Sequence, residues 1–391
     1  MLNEEVTPRT SETTTASVWV GEGVVEEWTV AIPEIPAGGL LIEVTANGIC
    51  GTDLHLISSK PKRPLVLGHE IVGRIVAFGE GTAQADAAGN ALAIGDGIAL
   101  FPWLPCLRCW SCRRFGPAAT TCENSFVYGI PPEALGLPES PRASGAPELT
   151  GGFGRHLVVK PGTYFWRVPE SMPHEIAALL DPLAVAVRTV DMLKTAVGTW
   201  DEVIRPDSTA VVLGAGAVGL LASLVLRSAG VTDIIVSGSR PSRLAMARDL
   251  GAESVIDIHE TDAATRRQLV LDRTNGRGAD LVIDATNQPQ SLTEALSMVR
   301  RLGSVIEVGN IVSTGETIRV DPAEDICQKN VRLMGLAANP PQSYSEAIAL
   351  LSRHRELPFE RLITGRHTFS SMNAALEDLA GDSVKVMLVA E

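Results

Sequence analysis

Residues 209–219 read Thr-Ala-Val-Val-Leu-Gly-Ala-Gly-Ala-Val-Gly, and Leu-Leu-Ala-Ser-Leu-Val-Leu follows at once. The first five residues have the apolar, β-branched character of a buried strand, and the run after the glycines has the length of a helix. Between them Gly214, Gly216 and Gly219 fall at the spacing G-x-G-x-x-G. The first permits a tight turn, the second lets backbone approach a pyrophosphate, and the third lets the helix pack closely on the strand. A helix that starts there, with Val218 in its first turn, presents free N–H groups to phosphate. Alone, such spacing also fits a glycine-rich turn that holds nothing. Set between a strand and a helix, it predicts a dinucleotide site.

Outward from this stretch the pattern repeats. DIIVS precedes SRLAMARDLGA, SVID precedes a helix over 260–275, DLVIDA precedes SLTEALSMVRRLG, and SVIEVG leads to VRLMGL. Strand–helix alternation of this kind predicts a doubly wound parallel sheet. Residues 18–76 differ: short alternating segments broken by Gly and Pro predict a β-rich, barrel-like domain. Residues 131–152 are dense in Pro, Gly, Ser and Glu, the composition of a long surface loop or lid. A helical pattern returns over 174–194, and the closing KVMLVA is an apolar strand that needs a sheet to join.

The end of the second strand bears on which nicotinamide cofactor binds. An NAD site places Asp or Glu there for the adenosine ribose. This chain has Gly238-Ser239-Arg240-Pro241-Ser242-Arg243, while Asp233 lies at the opposite end of the strand, roughly 13 Å away at about 3.3 Å per residue. A glycine in place of a carboxylate, then a hydroxyl and two guanidiniums, suits the 2′-phosphate of NADP. The plainer reading is a solvated helix start capped by serine.

With 391 residues, at about 150 per domain, the chain holds two or three domains. Its net charge of −13 and its 4% aromatic content argue against nucleic acid as a main partner, though not against a local phosphate pocket. The first nineteen residues lack the basic and apolar regions of an export signal. The uncharged run 210–226 falls short of the ~20 apolar residues a membrane span needs. A cytoplasmic protein with no membrane partner is expected. In a reducing compartment clustered thiols suggest metal rather than disulfides.

Cys106, Cys109, Cys112 and Cys122 match a closed tetrahedral four-cysteine zinc site, which leaves no position for substrate and is therefore structural. The alternative is a chance cluster of reduced thiols. A second site is assembled from further apart: Cys50-Gly-Thr52-Asp53-Leu-His55, Gly68-His69-Glu70 and Asp181-Pro182. A thiolate, an imidazole and a carboxylate fill three positions on zinc and leave a fourth for an alcohol or carbonyl oxygen, with the metal as Lewis acid. Each residue alone has a plainer reading. Cys50 could be a buried thiol, Asp53 or Asp181 a helix cap, and His55 a surface histidine. Their conjunction favours the metal.

Together CGTDLH, LGHE, the four-cysteine lobe, the DPLA stretch, GAGAVG and KVMLV resemble the zinc-dependent medium-chain alcohol and polyol dehydrogenases, from about residue 18 to the C-terminus and interrupted by a longer segment over 124–150. The resemblance implies a Rossmann domain over 185–336, inserted into a GroES-like catalytic domain over 1–184 and 337–391 that carries a zinc lobe at about 101–123. It implies Cys50, His69 and Asp181 as ligands of a catalytic zinc and Glu70 as an exchanging ligand. Asp53 would orient His69, Thr52 would take the substrate proton, and His55 would pass it towards solvent. By the same resemblance, polyol-type relatives usually carry Glu at the position of Asp181. The resemblance further implies two zinc ions per chain, NADP(H), a small alcohol or carbonyl substrate, and a homodimer or homotetramer. Two alternatives are a reductase of activated C=C bonds and a non-catalytic NADP-binding protein. Phe101-Pro-Trp103 is expected to line the substrate pocket.

Overall fold

In the computed structural model residues 12–116, 122–137, 149–194, 204–313, 315–354 and 357–390 are described. Two compact units are present: Met1–Asp181 with Pro340–Arg355 and Phe359–Glu391, and Pro182–Asn339 with Glu356–Pro358.

The second unit is the Rossmann domain. Its six parallel strands run, edge to edge, Ser254–Asp257, Asp233–Gly238, Thr209–Leu213, Ala279–Asp284, Val299–Glu307 and Arg332–Gly335. Thr209–Leu213 is central and buried at every position, which is why it reads as an unbroken apolar run rather than an alternating one. Val211, Leu213, Ile235, Val282 and Val305 meet Leu296 and Met298 of the helix Ser291–Met298 in one core. At ~1.5–3 kcal/mol per fully buried aliphatic side chain, this burial holds the layers together. The uncharged run 210–226 divides between the central strand and the helix Ala217–Ser228. Among the described residues no helix is long and apolar enough to cross a membrane.

The first unit is the GroES-like domain. Its largest sheet runs Phe165–Arg167, Gly97–Leu100, Glu70–Phe78, Leu40–Ile49, Lys385–Val389, Ile363–Thr368, with His156–Val159 also paired to Leu40–Ile49. The C-terminal strand finds its sheet here: Val386 to Val389 run antiparallel to Ile49 to Ala46. Leu40, Ile42, Val44, Ile71, Ile75, Ile98, Val386 and Leu388 point into a common core, the one-faced alternation expected of antiparallel strands. Of the expected loop over 131–152, residues 138–148 lie outside the described residues. Its far end is irregular as expected but not on the surface, because Leu149 belongs to the core.

Candidate active site and metal centres

Cys50 ends the strand Leu40–Ile49 and caps the short helix Gly51–Ile57. Asp53, fully buried, accepts the Cys50 N–H through Oδ2 at 2.8 Å and faces His69 Nδ1 through Oδ1 at 3.5 Å. Asp53 is therefore not the N-cap, which is Cys50, but the third helical residue of a capping box, and the same carboxylate faces the imidazole. With Nδ1 turned to Asp53, Nε2 is the ring nitrogen that would bind a metal. Burial would lower the His69 imidazole, yet the Asp53 carboxylate and the Cys50 thiol outweigh it and hold the ring well above its ordinary range.

Glu70 is the first residue of its strand and is 1% exposed. The ligand atoms of Cys50, His69 and Glu70 lie within 4.8 Å of one another. Asp181 does not belong to this closest set. It is the second residue of the helix Leu180–Lys194, inside the first turn rather than at the cap, and its Oδ1 accepts from the Tyr344 hydroxyl. Burial raises the Asp181 carboxyl, against the pull of the nearby His69. Burial and Asp181 together push the Tyr344 phenol well up, so it keeps its proton and donates. Thr52 is half-buried with its Oγ1 at 3.5 Å from Cys50 Sγ, and His55 is exposed one turn further along the same helix.

Two residues at this site escape the sequence. Lys385, 2% exposed, opens the C-terminal strand and points its Nζ at Glu70 Oε1 and at the Ile49 carbonyl, 3.0 Å away. Burial would lower the amine, but the Glu70 carboxylate holds it above its ordinary range. A side chain at Gly48 would overlap Glu70 Oε2 and come within 2.9 Å of Lys385 Cε, so only glycine leaves room for the pair. The lone signal for Lys385 was a lysine at the edge of an apolar strand, which reads as solvated. Tyr344 had no signal.

Phe101 corrects one expectation. At 2% exposure it is enclosed in the core, edge-on to Tyr344 at 5.1 Å and to Tyr164 at 6.3 Å, so it backs Tyr344 instead of facing a substrate. Trp103 is half-buried beside the core and pairs with Val127 in a two-stranded ribbon that closes the cysteine lobe.

In that lobe the ligand atoms of Cys106, Cys109, Cys112 and Cys122 also lie within 4.8 Å of one another. Backbone N–H groups of Cys106 and Asn124 donate to Cys122 Sγ at 3.3 and 3.4 Å, and that of Cys109 to Cys106 Sγ at 3.4 Å. Despite burial, the surrounding amides lower the Cys106 thiol to about 6. Burial and the neighbouring sulfurs push Cys112 up to about 12. Four sulfurs this close cannot all ionise without a cation, and the donor set fits zinc. At the first site a donor also fits a cation: Glu70 Oε2 is buried without a hydrogen-bond partner.

In the Rossmann unit Gly214 has φ +102°, and a side chain there would press on the Ala285 carbonyl at 3.0 Å. A side chain at Gly219 would overlap the Gly214 carbonyl, while one at Gly216 would meet nothing within 4 Å. The open face is thus at Gly216, where backbone must approach a pyrophosphate, and the helix Ala217–Ser228 with Val218 in its first turn begins beside it. Gly238 ends the second strand, with Ser239 half-buried beside it and Arg240 and Arg243 flanking the start of the helix Pro241–Asp249. Asp233, at the opposite end, accepts from Thr209 Oγ1 at 2.7 Å and pairs with Arg273, a structural role.

The family model for the alcohol dehydrogenase GroES-like domain matches residues 36–170, and that for zinc-binding dehydrogenases matches residues 217–353. The chain is 31% identical over 367 residues to 5-exo-hydroxycamphor dehydrogenase of Pseudomonas putida, covering 93% of this chain and 94% of that protein. It is 30% identical over 287 residues to sorbitol dehydrogenase of Bacillus subtilis, covering 72% and 70%. An alcohol dehydrogenase of Thermotoga maritima, solved by crystallography, matches with a TM-score of 0.83 at 28% identity, over 97% of this chain and 100% of that one. With both halves matched and 5-exo-hydroxycamphor dehydrogenase covered nearly end to end, the chain belongs to the zinc-type alcohol and polyol dehydrogenases of the medium-chain dehydrogenase/reductase superfamily.

Proposed function

We propose that this oxidoreductase interconverts a secondary alcohol and its ketone, using a catalytic zinc and NADP(H). The observation that carries the reading is the convergence of Cys50, His69 and Glu70, with Thr52 and His55 on the helix that Cys50 caps. Cys50, His69 and Asp181 would hold the metal, and Glu70 would exchange with substrate or water. When bound, zinc supplies Lewis acidity at the substrate oxygen and the nicotinamide accepts or returns the hydride.

The remaining work falls to the chain. Cys50 and Asp181 contribute two negative charges against the cation's two positive ones, while Lys385 cancels Glu70, so the site is not over-neutralised. Asp53 keeps His69 turned to the metal. Thr52 takes the proton from the substrate hydroxyl, and exposed His55 passes it to solvent. Gly216 and the helix N-terminus would receive the pyrophosphate, and Ser239, Arg240 and Arg243 the 2′-phosphate. Four cysteines would hold a second, structural zinc.

The relatives support a secondary alcohol, since 5-exo-hydroxycamphor and sorbitol each carry one. The test is NADPH and NADH oxidation against bicyclic ketones, ketoses, simple aldehydes and enones. Ketone reduction with NADPH strongly preferred is expected. Turnover of enones alone, or equal use of NADH, would contradict the substrate class or the cofactor choice respectively.

A further inference from the structure

Asp181 has a shorter arm than Glu70 and lies outside the closest set of ligand atoms, so it has to be held in place to serve a metal. We propose that Tyr344 is a positioning residue for the catalytic metal, its buried hydroxyl fixing the Asp181 carboxylate so that the shorter side chain serves as a ligand. This rests on the reading of Asp181 as a ligand given above.

Tyr344 is 0% exposed and lies in the helix Pro341–Arg353, 163 residues from its partner. Its ring stacks on Trp166 at 5.3 Å and 27°, and Phe101 meets it edge-on at 5.1 Å and 88°. Trp166 is itself tied down, its Nε1 donating to Ser345 Oγ at 3.1 Å, on the residue next to Tyr344. Packing therefore fixes where the phenol ends, and the hydroxyl donates to Asp181 Oδ1.

The kind of donor matters as much as its place. Glu70 is paired with a lysine, which cancels its charge. Tyr344 is a neutral donor that holds Asp181 through one hydrogen bond.

The test uses zinc-loaded wild type, Tyr344→Phe and Asp181→Asn, challenged with a chelator while zinc release is followed. Cobalt-substituted samples give absorption spectra of the same site. Tyr344→Phe should release one of its zinc ions about tenfold to a hundredfold faster than wild type and change the cobalt spectrum. Its far-ultraviolet circular dichroism and the zinc of the cysteine lobe should be unaffected. Wild-type release and spectrum in Tyr344→Phe, with faster release in Asp181→Asn, would overturn the role of Tyr344 and leave the ligand assignment standing. No effect in either variant would overturn both. Equal acceleration of both zinc ions in Tyr344→Phe would also overturn the proposal, because the phenol would then be structural.

Discussion

Asp284 ends its strand fully buried, opposite Glu307 in the parallel register, at the carboxyl edge of the Rossmann sheet. Its Oδ1 accepts the Thr286 N–H and hydroxyl at 3.0 and 2.9 Å, and its Oδ2 accepts from Ser291. Burial, and then the Glu307 carboxylate, push Asp284 up to about 7. An unfolded Asp titrates near ~3.9, so between that pH and about 7 the folded chain keeps a proton that the unfolded chain has released. The stabilisation is full below that window and is lost as pH rises through it, by at most ~1.4 kcal/mol per pH unit. Asp284→Asn imitates the protonated form and should flatten this decline in urea denaturation between about pH 5 and pH 8. Curves parallel to wild type would mean that Asp284 is ionised throughout. Arg240 and Arg243 allow a second test at single residues. A charge-assisted bond to phosphate contributes ~1.5–3 kcal/mol, so replacing either by Ala should lower kcat/KM for NADP by about tenfold or more and leave NAD unchanged. Equal losses with both cofactors would make the arginines part of the helix start only. Gly238→Asp is a poorer probe, because a Cβ there would sit 3.0 Å from the Ala215 side chain.

The elements differ in how openly the sequence shows them. The central strand, its glycine turn and the following helix are contiguous, and so are the cysteines of the lobe; their chemistry is local and legible from spacing. CGTDLH and LGHE were legible because each puts its functional groups within a few residues. The C-terminal strand was legible as a strand, yet its contribution to the site was not. Lys385 reaches Glu70 across 315 residues of sequence, and only the pairing of the strand with residues 46–49 brings them together. Phe101 was misplaced for a related reason: an aromatic near a metal lobe reads as pocket-lining until its packing partner, Tyr344, is known. The strand also makes a prediction. Lys385→Met leaves a buried carboxylate unpaired and should cost the metal-free protein ~3–5 kcal/mol, measured by denaturant unfolding. Adding Glu70→Gln should recover much of that loss. A double variant no more stable than the single one would show that the lysine matters for packing rather than charge.

At the level of the whole chain, the two donor clusters found among the described residues would have different tasks, and both lie in the GroES-like unit. The four-cysteine cluster ties a lobe together within a short stretch and should contribute to folding outright. Cys50, His69, Glu70 and Asp181 sit on strand and helix ends that the barrel core already fixes, so that site should empty without unfolding the protein. The most direct measurement is NADPH-dependent ketone reduction by protein from which a chelator has removed only the more labile zinc. Turnover should vanish when about one zinc per chain has gone, with the circular dichroism unchanged, and should return when zinc is restored. Full turnover by protein that keeps only the zinc of the cysteine lobe would contradict a catalytic metal at Cys50, His69 and Asp181.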